Sequence, residues 1–190
     1  LFFDDFETED ASRWTVENGE AQFIKEGENT VYRVTSTDYF EKDAMENLRN
    51  YAYSFDMKID YRDEDGAFGT TWPAFQYRSR DGIYYNMYFY NKVGSEEIGA
   101  EKNVGENTWM DVAKVPLTED NCEWVKVRVE LTGNDVKVYY KDMETPVISF
   151  TETESPSPTG GSFCFVNGRA SEFLIDNLRV EETHPVHTDL

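Results

Sequence analysis

The chain of 190 residues is short of basic side chains, and this shortage excludes two classes of partner. Its 18 Lys and Arg residues stand against 38 Asp and Glu, which gives a formal charge of −20. A field of that sign repels phosphate backbones and anionic lipid headgroups. We therefore expect no nucleic acid and no membrane partner, while neutral or cationic partners and divalent cations remain.

Cysteine and histidine are also scarce. Cys122 and Cys164 are too few for a disulfide framework and wrongly spaced for a zinc site, and the sequence leaves open whether they bond to each other. Both histidines, His184 and His187, lie in the last residues, so no Ser-His-Asp triad is expected. No apolar run reaches the length of a membrane span, and no signal peptide is present. Because the chain opens at Leu1, we expect a module of a larger secreted, extracellular or cell-surface protein.

What the chain does contain is aromatic residues and strand-like alternation. Its composition, 39% hydrophobic and 15% aromatic, suffices for one sizeable core. Alternating patterns separated by turn residues recur at short intervals, and nothing of helical period persists. Strands are predicted at 53–61, 74–79, 84–91, 125–131, 136–140, 147–150, 162–166 and 173–180, with a hairpin turn at Gly133-Asn134-Asp135.

This pattern predicts an all-β fold. Roughly a dozen short strands indicate two antiparallel sheets packed face to face, a β-sandwich of the jelly-roll type with its first and last strands adjacent. We expect one domain over 1–182, followed by a tail or linker at 183–190.

The most informative local pattern is the pair of strands on either side of the turn Arg80-Asp81-Gly82. Strict alternation places Gln76 and Arg78 on the same outer face as the polar and aromatic residues of the second strand. Aromatic rings stack on the C–H faces of sugars, while Arg, Asn and Gln bond to hydroxyls. The expected carbohydrate contacts are Trp72, Gln76, Arg78, Asn86, Tyr88 and Tyr90. The alternative is that Tyr88 and Tyr90 are ordinary cross-strand partners and Arg78 pairs with Asp56.

Several segments carry a resemblance to a known group. The run FQYRSRDGIYYNMYFYN, the segment 122–129, the hairpin 133–140 and the closing FLIDNLRV resemble concanavalin A-like jelly-roll modules of carbohydrate-active enzymes. The fructan-binding modules of carbohydrate-binding family 66 and related laminin-G-like domains are similar. The resemblance implies a ligand pocket on a concave sheet face that includes Arg78, which follows an aromatic residue. The small residues usual before it are replaced by Trp72-Pro73-Ala74, so the glycan is not specified.

The two ends of the chain suggest a metal. An acidic residue between apolar neighbours is costly to desolvate unless a cation neutralises it. The ends resemble xylan-binding modules of families 4 and 22, in which Phe-Glu near the start and Ile-Asp-Asn near the end hold a structural calcium ion. The resemblance implies Glu7 and Asp176 as ligands, together with a carbonyl near Asp5. Because calcium takes six to eight oxygens, a further carboxylate is expected from elsewhere, such as the loop that carries Asp38. The alternative is that Asp176 caps a turn and Glu7 is solvated.

The expected function is therefore a non-catalytic, monomeric carbohydrate-binding module, fused to other domains and binding a neutral polysaccharide or oligosaccharide. One alternative is a jelly-roll glycoside hydrolase or lyase. In family 16 glycoside hydrolases the nucleophile and acid lie on one strand as Glu-x-Asp-x-x-Glu, whereas this chain offers Glu96, Glu97 and Glu101 without that motif. The other alternative is a laminin-G-like adhesion domain. Trp109 is expected in a loop and ranks below Trp72 as a contact.

Overall fold

The computed structural model describes residues 2–41, 49–61, 71–89, 96–106, 108–117, 122–152 and 161–183. Within these ranges the chain is almost entirely β-strand, and its one helical piece is a 3-10 turn at Ala11–Arg13. No helix in the described part of the chain is long and apolar enough to cross a membrane. The predicted all-β class is confirmed.

Fifteen strands follow one another along the described chain. They are β1 (Phe2–Asp4), β2 (Trp14–Val16), β3 (Gln22–Glu26), β4 (Asn29–Arg33), β5 (Thr37–Phe40), β6 (Tyr51–Asp60), β7 (Ala74–Arg80), β8 (Ile83–Phe89), β9 (Glu97–Asn103), β10 (Trp109–Pro116), β11 (Val125–Thr132), β12 (Asp135–Tyr140), β13 (Ile148–Thr151), β14 (Ser162–Val166) and β15 (Glu172–Glu182).

The strands form two sheets of a sandwich. Sheet A has the order β13-β12-β11-β6-β15-β4-β3, with β1 added beside β15, and sheet B has the order β10-β9-β8-β7-β14-β5-β2. All of these pairings are antiparallel. Phe2 lies opposite Val180, which confirms that the first and last strands are neighbours.

Aromatic side chains from both sheets fill the interior. On β6 of sheet A, Phe55 is 1% exposed, and its ring centroid lies 5.2 Å from that of Phe75 and 5.0 Å from that of Phe165 on sheet B. Rings at this spacing pack edge to face or tilted, and each one buried stabilises the fold by roughly 1.5–3 kcal/mol. This core holds the outer face of sheet B in a fixed register.

The two cysteines form no disulfide bond with each other. Cys122 is exposed and Cys164 is buried. Cys164 lies on β14 and donates its thiol hydrogen to Oε1 of Gln76 at 3.5 Å. Since Cys164 lies opposite Gln76, it is a small buried side chain on the same outer face of sheet B and forms no covalent link between strands.

Strand β7 carries a β-bulge at Arg78 that reverses its alternation. Its register shifts against β8 between Tyr77 and Arg80, and its register against β14 shifts at the same level. Arg78 has φ 52°, in the left-handed region. One extra residue on a bulged strand turns the following side chain to the opposite face.

The prediction that Arg78 faces outward beside Gln76 is consequently wrong. Arg78 is 0% exposed, and its Nη2 donates to the carbonyl oxygen of Gly133 at 2.7 Å, on the facing sheet. The alternative pairing with Asp56 is wrong as well, because Asp56 accepts a hydrogen bond from Asn177 at 2.9 Å. Alternation alone does not reveal a bulge, since the extra residue leaves no gap in the sequence pattern.

Candidate functional site

A row of polar side chains crosses the outer face of sheet B over four neighbouring strands. Gln76 on β7 lies opposite Asn86 on β8, Asn86 lies opposite Glu101 on β9, and Glu101 lies opposite Asp111 on β10. Residues directly opposite in an antiparallel sheet share a face. The row is therefore a continuous strip of amide and carboxylate groups.

The next row along the sheet places an aromatic ring over a glycine. Tyr88 on β8 lies opposite Gly99 on β9, and the hydroxyl of Tyr88 donates to Oε1 of Glu97 at 3.1 Å. A Cβ atom added at Gly99 would lie under 3.0 Å from the Tyr88 ring, closer than real Cβ contacts. Glycine at 99 is thus what allows the ring to lie across the floor of the site.

These two rows form the floor of a groove of about 350 Å³. The groove is lined by Trp72, Ala74, Gln76, Asn86, Tyr88, Glu101, Trp109 and Val166. Asn86 is 7% exposed and Tyr88 is 3% exposed, so both belong to the floor. The groups open to a ligand are Trp72, Gln76, Glu101 and Trp109.

Each of the two tryptophans is held by a specific contact. The backbone N–H of Trp72 donates to the carbonyl oxygen of Gly168 at 2.7 Å, and the guanidinium of Arg169 lies 4.7 Å from the indole centroid, a cation–π contact. Trp109 is 42% exposed, and its ring packs edge-on against Tyr84 with centroids 5.5 Å apart. Rings fixed in this way lose little conformational freedom when a ligand binds.

The groove is acidic. Partial burial raises the pKa of Glu101, and the neighbouring carboxylates of Asp111 and Glu97 raise it further, against the opposing effect of a hydrogen bond from Asn86. That bond runs from Nδ2 of Asn86 to Oε2 of Glu101 at 3.4 Å. Lys114 is the cation that offsets part of this charge at Glu101. The site therefore offers mainly hydrogen-bond acceptors beside its aromatic faces.

Glu97 and Glu101 lie on one face of β9, four residues apart. Four residues of strand span about 13 Å between Cα atoms. Gly99 lies midway between them, and the Tyr88 ring occupies the space above it. The arrangement is two carboxylates on one strand with a tyrosine between them.

The structure brings together four of the six predicted contacts: Trp72, Gln76, Asn86 and Tyr88. Arg78 points into the interior, and Tyr90 lies outside the described residues. Sequence reasoning ranked Trp109 too low, because β10 is an edge strand with little buried surface and shows no apolar alternation. Glu101 was noticed only as part of an incomplete motif.

The three predicted metal ligands are engaged in other contacts. Glu7 accepts hydrogen bonds from the N–H and hydroxyl of Thr30, and the backbone bond is the main cause of its lowered pKa. Asp176 accepts from Nδ2 of Asn29 at 2.8 Å, and Asp5 accepts from the Glu7 N–H at 3.3 Å. In the part of the chain that the structure describes, no three acidic, His or Cys side chains are arranged to hold a metal ion.

Asp38, the further metal ligand considered from the sequence, already accepts hydrogen bonds at both of its carboxylate oxygens. Its Oδ2 accepts from the hydroxyl of Tyr32 and the N–H of Thr35, both at 3.0 Å, and its Oδ1 accepts from the N–H of Ser36 at 3.1 Å. Burial raises the pKa of this carboxyl despite those bonds. Asp38 thus stabilises the turn before β5.

Comparison with solved structures shows that this architecture is similar to those of several jelly-roll proteins. The carbohydrate-binding module CBM66 from Bacillus subtilis matches with a TM-score of 0.65 and 18% identity, over 90% of this chain and 96% of that chain. The GH16 protein of the Bacteroides ovatus mixed linkage glucan PUL, in complex with the product G4G4G3G, matches with a TM-score of 0.68 and 13% identity, over 95% and 100%. A β-1,3-glucanase from Mycobacterium marinum matches with a TM-score of 0.64 and 13% identity, over 95% and 98%.

No protein-family model and no curated protein matches the sequence. The structural likeness confirms the resemblance to concanavalin A-like jelly rolls at the level of the fold. That fold is shared by a carbohydrate-binding module and by glycoside hydrolases, so the fold alone does not assign a function to this chain.

Proposed function

We propose that this domain is a non-catalytic carbohydrate-binding module that binds a neutral polysaccharide or oligosaccharide in the groove on the outer face of sheet B. The observation that carries the proposal is the pairing of two accessible tryptophans, Trp72 and Trp109, with a floor of amide and carboxylate groups. Indole faces stack on the apolar faces of sugar rings, and the floor accepts hydrogen bonds from their hydroxyls.

The negative charge of the groove restricts the class of glycan that can bind in it. The carboxylates of Glu97 and Asp111 both act on Glu101, and the whole chain carries −20. A uronate or sulfated glycan would bring like charges together in a partly dehydrated site, which is unfavourable. A neutral glycan supplies hydroxyl donors without that cost.

Affinity electrophoresis tests the proposal, in gels that contain either a neutral polysaccharide (β-glucan, levan or xylan) or the anionic polygalacturonate. We expect at least one neutral polysaccharide to retard the protein and polygalacturonate not to. Trp72→Ala and Trp109→Ala should each weaken retardation about two- to tenfold, since a stacked ring contributes about 0.5–1.5 kcal/mol. Trp124→Ala is the matched control, because Trp124 is 36% exposed but lies outside the groove lining.

Full retardation of both groove variants would place the binding surface elsewhere. Absence of retardation by any polysaccharide in the panel would reject the carbohydrate function. An adhesion domain of laminin-G type would give this second result.

A glycoside hydrolase is the second candidate, because Glu97 and Glu101 share a face of one strand and the pKa of Glu101 is raised, as a general acid requires. Relative to Glu-x-Asp-x-x-Glu, Gly99 stands at the aspartate position and the second glutamate comes one residue earlier. The Tyr88 ring fills the space that a side chain at 99 would need, which favours binding over catalysis. Release of reducing sugars that Glu101→Gln abolishes would establish the enzyme instead.

Calcium, secretion, fusion to other domains and a monomeric state stay predictions from the sequence. A structural ion would stabilise the folded form by mass action. If it is present, chelation should lower the melting temperature and added calcium should restore it, whereas Glu7→Gln should abolish the response. An unchanged melting temperature in chelator would reject the ion.

A further inference from the structure

A buried arginine without a counter-charge lies at one end of the sandwich. Arg78 is 0% exposed, and its Nη2 donates to the carbonyl oxygens of Gly133 at 2.7 Å and Arg49 at 3.3 Å. Its Nε and Nη1 atoms are buried and have no hydrogen-bond partner. Among the described residues, no carboxylate forms an ion pair with this guanidinium.

Tyrosine hydroxyls surround this group. The Arg78 guanidinium lies 6.0 Å from the ring centroid of Tyr51, which packs edge-on against Tyr53 at 5.1 Å, while Tyr77 stacks on Tyr85 at 5.4 Å. All four hydroxyl oxygens are buried, and the hydroxyl of Tyr51 lies close enough to that of Tyr53 and to the Arg78 guanidinium for hydrogen bonding to act on its pKa. The positive charge of Arg78 opposes the rise that burial imposes on the pKa of Tyr51, Tyr53 and Tyr77, so these three hydroxyls lie within its field.

Among the described residues, the carboxylate that acts on this cluster is that of Glu152, and it is paired with a lysine. Glu152 raises the pKa of Tyr77, but its Oε1 accepts from Nζ of Lys102 at 2.9 Å, and both side chains of that pair are 3–4% exposed. The pair contributes no net charge, so among the residues that the structure describes Arg78 leaves the cluster with one uncompensated positive charge. A buried charge without a partner is strongly destabilising.

The inward direction of the Arg78 side chain requires a strained backbone conformation. Arg78 adopts φ 52°, a conformation that costs a non-glycine residue of order 1–3 kcal/mol. Gly161 of the neighbouring strand makes it possible, since a Cβ there would lie under 3.0 Å from the carbonyl oxygen of Ser79. A strained backbone together with buried N–H donors that have no hydrogen-bond partner indicates that the Arg78 side chain binds a ligand.

We propose that Arg78 and the hydroxyls of Tyr51, Tyr53 and Tyr77 form an internal site for a small monovalent inorganic anion of chloride size. Two free guanidinium N–H positions and several O–H groups are hydrogen-bond donors, and an anion accepts from all of them while neutralising the charge. Buried water would satisfy the hydroxyls but would leave the charge uncompensated.

The first test compares melting temperatures of the intact protein in sodium chloride, sodium bromide and sodium gluconate at equal ionic strength and pH. Chloride and bromide should give a saturable rise of about 2–5 °C over gluconate, which is too large for an internal site. Arg78→Met keeps most of the side-chain volume and should abolish this difference. Arg128→Met, which removes an arginine at the surface of sheet A, should leave it unchanged.

A second measurement on the unaltered protein guards against misfolding of Arg78→Met. The ³⁵Cl NMR line of dilute chloride should broaden in the presence of the protein, and bromide should compete the broadening away. An equal melting temperature in all three salts, together with an unbroadened ³⁵Cl line, would mean that the cluster holds water only and would overturn the proposal.

Discussion

The contact between Tyr88 and Gly99 fixes the floor of the groove, and Gly99→Ala tests it. The added Cβ would lie under 3.0 Å from the Tyr88 ring, so the ring must move. Overpacking of this kind costs about 1–3 kcal/mol. The moved ring also loses its bond to Glu97 at 3.1 Å, and hydrogen bonds to charged groups contribute about 1.5–3 kcal/mol. We expect a loss of about 2–4 kcal/mol of unfolding free energy, since part of this cost relaxes.

A double-mutant cycle isolates the cause. Tyr88→Ala removes the ring, so Gly99→Ala in that background should cost nothing or stabilise by about 0.5–1 kcal/mol, as alanine normally does over glycine in a strand. Urea unfolding of the four proteins, followed by tryptophan fluorescence, gives the coupling energy, expected at about 2–5 kcal/mol. Tyr88→Phe serves as the control that removes only the hydroxyl.

Equal costs of Gly99→Ala in both backgrounds would refute the reasoning. The ring of Tyr88 would then lie away from β9, and neither the groove floor nor the separation of Glu97 from Glu101 would stand as described.

Three further predictions concern stability. Glu101→Gln should be more stable than the unaltered protein at neutral pH, because a raised folded-state pKa means that ionisation opposes folding; the gap should close as the pH falls below the unfolded pKa, as urea unfolding across pH will show. Gly161→Ala should cost about 1–3 kcal/mol through its φ of 136° and the overlap with Ser79, whereas Gly82→Ala, strained but in open space, should cost less in the same assay. Lys102→Met should cost about 3–5 kcal/mol by stranding Glu152, and the double variant with Glu152→Met should recover most of it in thermal unfolding.

Much of the fold could be predicted because most strands have one face in the core. From Tyr53 onward on β6, and along β11, the inward side chains alternate with more exposed ones, and this period specifies both strand and face. Strands β2 to β5, β9 and β10 were not predicted. β9 carries Gly99 and Ala100 where bulkier apolar residues would mark a strand, and β10 is a largely exposed edge strand. Neither has the alternation on which sequence reasoning depends.

The candidate site was predictable up to the bulge and no further. Gln76, Asn86 and Tyr88 take the predicted face because β7 and β8 keep regular register from Ala74 to Tyr77. Arg78 comes immediately after that stretch and faces the core. The residue that permits the bulge is Gly161, far along the chain from β7. The alternation pattern of β7 alone therefore cannot reveal that Arg78 faces the core.

The inward turn of Arg78 changes the chemistry of both faces of sheet B. Had it pointed outward in the row of Tyr84, it would have offset the charge of Glu101 and given the groove a bidentate donor for carboxylates or sulfates. Its absence leaves the acceptors of Gln76 and Glu101 beside the tryptophans, which favours neutral sugar hydroxyls over anionic glycans. The same reversal places an unpaired cation in the interior, where it requires an anion. Restoring the outward arginine by Gln76→Arg should therefore increase retention by polygalacturonate in affinity electrophoresis without altering the response of the melting temperature to chloride, because the two sites lie on opposite faces of one strand.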